Sequence, residues 1–247
     1  MSDAAIDRVW PDPASDLDDA ALLKGIAFPA GRTWLRMNFV ASLDGAATRA
    51  GRSGGLGDAA DRRLFDLLRW EADVILLGAG TARIEGYGGM RLSDEAVAWR
   101  TDAGLVPQPA FALVSRSLDL DPGAPIFTDA PVRPIVYTVS SAPAHRRAEL
   151  ADVADVVDAG DEDADGMRIR QDLAGRGLYR IHSEGGPHLF GAMLAVGAVD
   201  ALHLTLAPSL EVGSAGRIAR GVEAPVGAKL ASVLRAGDEL LLHYRLD

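Results

Sequence analysis

Two glycine-containing loops give the sequence its clearest indication of chemistry. One follows a short apolar run at 74–77, and the other follows a second apolar run at 178–183. A strand that ends in glycine and turns into a helix leaves backbone N–H groups directed at an anion. Glycine also lets a ligand approach the backbone closely. In chain order the two loops contain Gly78, Ala79, Gly80, Thr81, Gly185, Gly186, Pro187 and His188.

The two loops together predict a site for a dinucleotide. In open α/β sheets, ligands bind at the carboxyl ends of the strands, and each loop follows a predicted strand. Each loop taken alone has a simpler explanation, because tight strand–helix turns need glycine in any case. Neither loop has the G-x-G-x-x-G spacing, so an ordinary Rossmann dehydrogenase is not indicated.

Three other patterns are weaker. Gly51 to Gly55 matches G-x-S-x-G formally, but a polar segment precedes it and a glycine-rich turn follows. A serine hydrolase is therefore not indicated, since its nucleophile elbow needs a buried strand before it and a helix after it. Neither lysine, Lys24 or Lys229, follows a tyrosine by four residues, which argues against a short-chain dehydrogenase. The histidines have no carboxylate partners at metal-ligand spacing, so we expect no metal site.

The elements that must position the loops alternate along the chain. Apolar runs at 74–78, 111–115, 134–139, 152–159 and 178–183 predict strands, and a further strand opens at Thr33. Helical patterns fall between them, the first capped by Asp58. This alternation predicts a mostly parallel sheet with helices on both faces. The C-terminal segments predict antiparallel strands joined by a turn at 236–238. Residues 1–31 are expected to form an irregular arm with a short helix over 17–24, and 32–247 a single domain.

Composition excludes several classes of function. The 247 residues carry 25 basic against 35 acidic side chains, a net charge of −10, which argues against binding to nucleic acid. The chain has no cysteine, so it has no disulfide, thiolate nucleophile or Cys-based zinc site. No apolar run approaches the roughly 20 residues of a membrane span. The N-terminus lacks the features of a signal peptide, so we expect a cytoplasmic protein.

Three stretches resemble the signature stretches of the pyrimidine reductase family of riboflavin biosynthesis. They are MNFVASLDGAAT, DRRLFDLLRWEADVILLGAGTARIEGYG and SEGGPHLFGAMLAVGAVDALHLTLAP. The nearest likeness is to stand-alone actinobacterial members. The resemblance implies a dihydrofolate-reductase-like three-layer α/β/α sandwich with a mostly parallel sheet and antiparallel C-terminal strands. It also implies a homodimer, NADPH as hydride donor and a pyrimidine ribosylamine 5′-phosphate as substrate. The alternatives are reduction of dihydrofolate or another pterin, and an NADP-binding module without catalysis. Bifunctional relatives also carry a zinc deaminase domain, whose chemistry a chain without cysteine does not support.

The resemblance also assigns roles to residues. On the cofactor side it implies that Gly78–Thr81 hold NADPH, that Glu85 contacts it, and that Gly185, Gly186 and the helix start at Pro187 and His188 take the pyrophosphate. The remaining implied positions are Ala41 in the nicotinamide pocket, Ser115 near the adenosine, and Ser53, Arg69, Arg91 and Glu184 on the substrate side.

Asp61 is the candidate catalytic residue. The resemblance places it on the helix that faces the cleft, where dihydrofolate reductases have an acidic residue that binds the pteridine ring. Hydride transfer to a C=N bond needs a proton on nitrogen, and a carboxylate can orient the ring or relay that proton through water. The alternative is a first-turn carboxylate that only complements the helix dipole. Asp44, in an Asp-Gly turn, is expected to be structural.

Overall fold

The computed structural model describes residues 5–247, which form one ten-stranded sheet and eight helices. The strands are β1 (Asp7–Trp10), β2 (Trp34–Ser42), β3 (Val74–Gly78), β4 (Ala110–Val114), β5 (Ile135–Thr138), β6 (Asp155–Asp158), β7 (Arg180–Ser183), β8 (Ala201–Ala207), β9 (Ala228–Ala236) and β10 (Glu239–Leu246). The helices are α1 (Asp19–Ile26), α2 (Ala59–Trp70), α3 (Ala79–Glu85), α4 (Asp94–Asp102), α5 (Pro125–Thr128), α6 (Ala144–Ala151), α7 (Gly166–Gly175) and α8 (Pro187–Ala195).

The strand order is β1-β9-β10-β8-β2-β7-β3-β4-β5-β6. From β8 to β6 the neighbouring strands run parallel, whereas β8, β10, β9 and β1 pair antiparallel. This arrangement confirms the predicted mostly parallel sheet with antiparallel C-terminal strands. It also puts β7, with its glycine loop, between β2 and β3 at the centre of the sheet.

Helices cover both faces of the sheet, as predicted. On one face Ile169 of α7 and Phe190 of α8 pack against Met37 and other residues of the central strands. On the other face the apolar stripe of α2, which includes Leu64 and Leu68, packs with α1 and the C-terminal strands. These apolar positions recur at helical spacing, and the Asp58 side chain accepts the Ala60 N–H at 2.7 Å, so both the stripe and the cap of α2 follow from the sequence.

The N-terminal arm is more ordered than the sequence predicted. Its helix is present as α1, but the strand β1, which pairs antiparallel with β9, was not predicted. Ile6, Leu17 and Leu22 of the arm are buried in a hydrophobic cluster. An edge strand of four residues is held by backbone pairing, which its side-chain pattern does not reveal. Residues 1–4 of the predicted arm lie outside the described residues, and the boundary at 31/32 stays a prediction.

Candidate active site

The two glycine loops meet at the carboxyl edge of the central strands. The N–H of Gly78, at the end of β3, donates to the carbonyl oxygen of Gly185 at 2.7 Å. The N–H of Glu184 donates to the carbonyl of Leu76 at 3.1 Å, so the loop after β7 continues the pairing between β7 and β3. The juxtaposition predicted from the position of the loops after their strands is therefore present.

The backbone at Gly185 and Gly186, joined by a cis peptide bond, has no room for side chains. Gly185 has a φ of +85°, and a Cβ placed there would lie 2.7 Å from the Phe39 ring. A Cβ on Gly186 would lie 2.2 Å from the hydroxyl of Thr81. The peptide between the two glycines thus lies between an aromatic ring and a hydroxyl. That is the close approach of backbone to its surroundings that only glycine permits.

Two helix starts face this junction without side-chain caps. Gly78 is the N-cap of α3 and Gly186 is the N-cap of α8, and neither helix start receives a side-chain hydrogen bond. The first N–H groups of a helix have no partner within the helix, and their dipoles favour a negative charge. The residues therefore fit the two phosphates of a dinucleotide, which would be held by backbone rather than by side chains.

Replacing Gly185 with alanine tests this cradle. We expect the added methyl to press on the Phe39 ring at a positive φ and to lower the free energy of unfolding by about 1–3 kcal/mol. The substitution should also weaken NADPH binding, and the loss of binding free energy, measured by fluorescence titration, should exceed the loss of unfolding free energy. Gly177 is the matched control, since it has a φ of +80° but nothing within 4 Å of an added Cβ. If Gly177→Ala weakens NADPH binding equally, the close approach at Gly185 is not the cause.

A buried ion pair stands beside the glycine loop. Glu184, with a side chain 1% exposed, accepts hydrogen bonds from Arg69, whose Nη2 lies 2.9 Å from Oε2. The Tyr87 hydroxyl donates to the same oxygen at 2.7 Å. Burial raises the pKa of Tyr87, and the Glu184 charge raises it further. Burial alone would lower the pKa of Arg69, but Glu184 raises it above its ordinary value. The Arg69 side chain, 17% exposed, is thus held as a fixed cation at the cleft.

A second carboxylate holds the loop that follows β2. Glu85 Oε1 accepts hydrogen bonds from the backbone N–H of Ser53 at 2.8 Å and from its hydroxyl at 2.9 Å. The same loop is joined to the segment after β8 through Asp44, which accepts the N–H of Val212 at 2.8 Å. Hydrogen bonds, first that from the Ser42 hydroxyl, lower the pKa of Asp44 to about 2. Asp44 therefore bonds to backbone N–H groups, as its Asp-Gly turn indicated.

Asp61 lies in the first turn of α2, half-buried beside the loop at Gly57. A Cβ on Gly57 would lie 2.0 Å from Asp61 Oδ2, so the loop backbone passes directly over the carboxylate. Burial raises the pKa of Asp61, while a hydrogen bond with the buried Thr205 of β8 partly offsets this effect. A carboxylate that is partly shielded from water can accept hydrogen bonds from two adjacent N–H groups of a flat heterocycle.

Comparison with known proteins identifies the family. The model of the RibD C-terminal domain matches residues 33–242, which includes both glycine loops, α2 and Asp61. The chain belongs to the RibD C-terminal domain family. As the resemblance predicted, this is the reductase family of riboflavin biosynthesis, and the protein is an oxidoreductase.

Individual relatives of this RibD-family protein agree with this family assignment. A 2,5-diamino-6-ribosylamino-4(3H)-pyrimidinone 5′-phosphate reductase of Methanothermobacter thermautotrophicus is 29% identical over 222 residues, 86% of this chain and 98% of the relative. A pyrimidine reductase-like protein of Corynebacterium diphtheriae superposes with a TM-score of 0.80 at 29% identity, over 87% of this chain and 92% of that one. The riboflavin biosynthesis reductase Rib7 of Saccharomyces cerevisiae has the same fold, with a TM-score of 0.64 at 16% identity, over 90% and 93%.

The other predicted residues of this RibD-family site differ in burial and position. Ala41 is buried near the end of β2, and Ser115 is buried directly after β4. His188 and Arg91 are exposed, the first at the start of α8 and the second in the loop between α3 and α4. Within the described part of the chain, no hydrogen bond joins the Arg91 side chain to the glycine loops or to Glu184. The roles assigned to these residues stay predictions.

Sequence reasoning missed Tyr87 and Thr205. Tyr87 follows the first glycine loop, yet its hydroxyl bonds to Glu184, which is 97 residues further along the chain. Thr205 alternates with leucines on β8 and carries no local signal of its partner Asp61. The alternation of Thr205 with Leu204 and Leu206 does put it on the face of β8 opposite to theirs.

Proposed function

We propose that the protein is an NADPH-dependent reductase of a pyrimidinone ribosylamine 5′-phosphate in riboflavin biosynthesis. The observation that carries the proposal is the junction of the two glycine loops beside the buried pair of Arg69 and Glu184, with Asp61 on the same helix as Arg69. It brings a cradle for a dinucleotide next to groups that fit a polar heterocycle. The substrate is taken from the name of the Methanothermobacter relative, which the chain covers almost completely.

The proposed reaction reduces the open-chain imine form of the ribosylamine. When bound, NADPH supplies a hydride to C1′, and the imine nitrogen takes a proton from solvent, so the ribosyl group becomes a ribityl chain. Asp61 would accept hydrogen bonds from the 2-amino group and the adjacent ring N–H, which fixes the plane of the ring. Hydride transfer needs donor and acceptor carbons about 3–3.5 Å apart, and a fixed ring supplies this alignment.

A pterin is the second candidate substrate. Dihydrofolate carries the same 2-amino-4-oxo edge, so the Asp61 carboxylate with Thr205 suits both heterocycles equally. A module that only binds NADP would have no use for that carboxylate or for the buried pair of Arg69 and Glu184. These residues therefore favour an enzyme over the third alternative, a non-catalytic protein.

The test is NADPH oxidation followed at 340 nm with each of the two substrates in parallel. We expect turnover with the pyrimidine and identify the ribityl product by mass spectrometry. Turnover of dihydrofolate alone would transfer the function to pterin reduction. Saturable NADPH binding without turnover of either substrate would contradict both enzymatic functions. It would favour the third alternative, a protein that binds NADP without catalysis.

The choice of NADPH over NADH is part of the proposal, and Arg116 supports it. Arg116 follows Ser115 at the carboxyl end of β4, next to the strand that carries the first glycine loop. Its only ion pair within residues 5–247 is with Asp163, and the two side chains are 71% and 85% exposed. An exposed pair of this kind contributes little, so the guanidinium is free to bind a 2′-phosphate.

Replacing Arg116 with glutamine should therefore raise KM for NADPH about tenfold, the loss of one charge-assisted contact, and leave KM for NADH unchanged. Initial rates with both cofactors measure the two constants. Arg168→Gln removes another exposed arginine, from α7, and serves as the control. An equal loss with NADH would mean that Arg116 acts on the fold and not on the 2′-phosphate.

A homodimer and a cytoplasmic location complete the proposal. The leucines of β8 and β10 that point away from α2, such as the paired Leu204 and Leu242, remain half-exposed and form an apolar stripe. A second copy would cover this stripe, and sedimentation velocity would detect the resulting dimer.

None of the helices found within residues 5–247 has the length and apolar character needed to cross a bilayer.

A further inference from the structure

A buried carboxyl group outside the predicted site lies next to the start of α2. Glu239 is the first residue of β10 and is 1% exposed. Its Oε1 faces the backbone N–H of Asp58 at a long 3.4 Å, and its Oε2 has no hydrogen-bond partner within the described residues. No ion pair that the structure describes in residues 5–247 reaches it. The carboxyl group is therefore shielded from bulk solvent and has no cation among the described residues to balance a negative charge.

The neighbours of Glu239 are themselves acidic. Asp58 and Asp61 face it from α2, and among residues 5–247 the positive charge recorded against these acids is that of Arg62, which acts on Asp61. Leu241 pairs with Thr205 of β8, and Glu239 lies two residues before Leu241, on the same face of the sheet. The three carboxyl groups and the Thr205 hydroxyl thus form one cluster between α2 and the C-terminal strands.

We propose that Glu239 is a positioning residue that stays protonated and shares its proton with the cap carboxylate of Asp58, which fixes the first turn of α2 and Asp61 with it. Asp58 is the link, because the same side chain accepts the N–H of Ala60 at 2.7 Å and of Asp61 at 3.4 Å. A buried carboxyl without donors favours its neutral form. Burial, and then the hydrogen bond and charge of Asp58, raise the pKa of Glu239 to about 8.

Ionisation of Glu239 would put a third negative charge against Asp58 and Asp61. The stability that the neutral acid contributes is fully present below its ordinary pKa of 4.5 and is lost as the pH rises through about 8. The wild-type melting temperature should accordingly fall between pH 5 and pH 8 more steeply than that of Glu239→Gln, which keeps the shape and a hydrogen-bond donor.

The decisive measurement is the pH titration of the Asp58 and Ala60 amide resonances. We expect a transition near pH 8 in the wild type that is absent in Glu239→Gln and retained in Glu162→Gln, an exposed control. A wild type without this transition, or a transition that persists in Glu239→Gln, overturns the proposal. If Glu239→Gln does not fold, the wild-type titration alone decides.

The effect on catalysis is a second readout, and it rests on the proposed function. In the wild type, kcat/KM for the pyrimidine should fall about tenfold per pH unit above the transition, as expected for one ionisation. In Glu239→Gln this alkaline limb should be absent, and KM for NADPH should not change with pH in either protein. An alkaline limb that persists in Glu239→Gln contradicts the link to Asp61. A protein that turns over neither substrate fails the proposed function only, since the amide titration does not need turnover.

Discussion

Asp61→Asn is expected to lower kcat for the pyrimidine by about 10²-fold, the loss expected when the reacting atoms are misplaced by about 1 Å. KM for NADPH should not change, because the glycine cradle lies on other elements. The asparagine keeps the size of the side chain and the first turn of α2. It replaces one acceptor oxygen with an NH₂ donor, which faces a donor on the substrate, so the ring is no longer fixed in the plane that hydride transfer needs.

The control for Asp61 is Asp94→Asn. Asp94 is an exposed first-turn carboxylate of α4 and complements the dipole of its helix as Asp61 does. Loss of kcat in Asp61→Asn alone separates a role at the cleft from a role in helix stability. An equal loss of turnover and NADPH affinity, or no loss at all, would contradict the assignment of Asp61 as the catalytic residue.

The parts of the site with local signals were predictable. The glycine loops follow apolar runs, and the cap and stripe of α2 repeat at fixed spacing, so residues within about ten positions determine them. The run at 152–159 was likewise predicted to be a strand, and it contains β6, the partly exposed last strand of the sheet.

The parts that depend on distant partners were not predictable. Arg100 of α4 is fully buried, although arginine normally indicates a surface, because its guanidinium donates to the carbonyls of Trp70 and Ala72 at 2.6 and 2.7 Å. The helix therefore has no clear apolar stripe and was missed. The burial of Glu239 was not predictable for the same reason, because it comes from packing against a helix about 180 residues earlier in the chain.

Breaking the buried pair of Arg69 and Glu184 should produce the largest loss of stability. Arg69→Met keeps the aliphatic bulk over the Phe65 ring, which the guanidinium now covers at 4.2 Å. It leaves Glu184 with the Tyr87 hydroxyl and no cation. Removing one partner of a buried pair costs about 3–5 kcal/mol, which chemical denaturation will measure as a lower free energy of unfolding.

The double variant Arg69→Met/Glu184→Gln shows whether the cost comes from the stranded charge. A neutral amide at 184 needs no cation, so the double variant should recover much of the stability that Arg69→Met loses. Arg168→Met, which replaces an exposed arginine on α7, should stay within about 0.5 kcal/mol of the wild type. Recovered stability without recovered turnover would mean that the cation of Arg69 acts on the substrate as well as on Glu184. Recovery of both would restrict Arg69 to holding Glu184 in place.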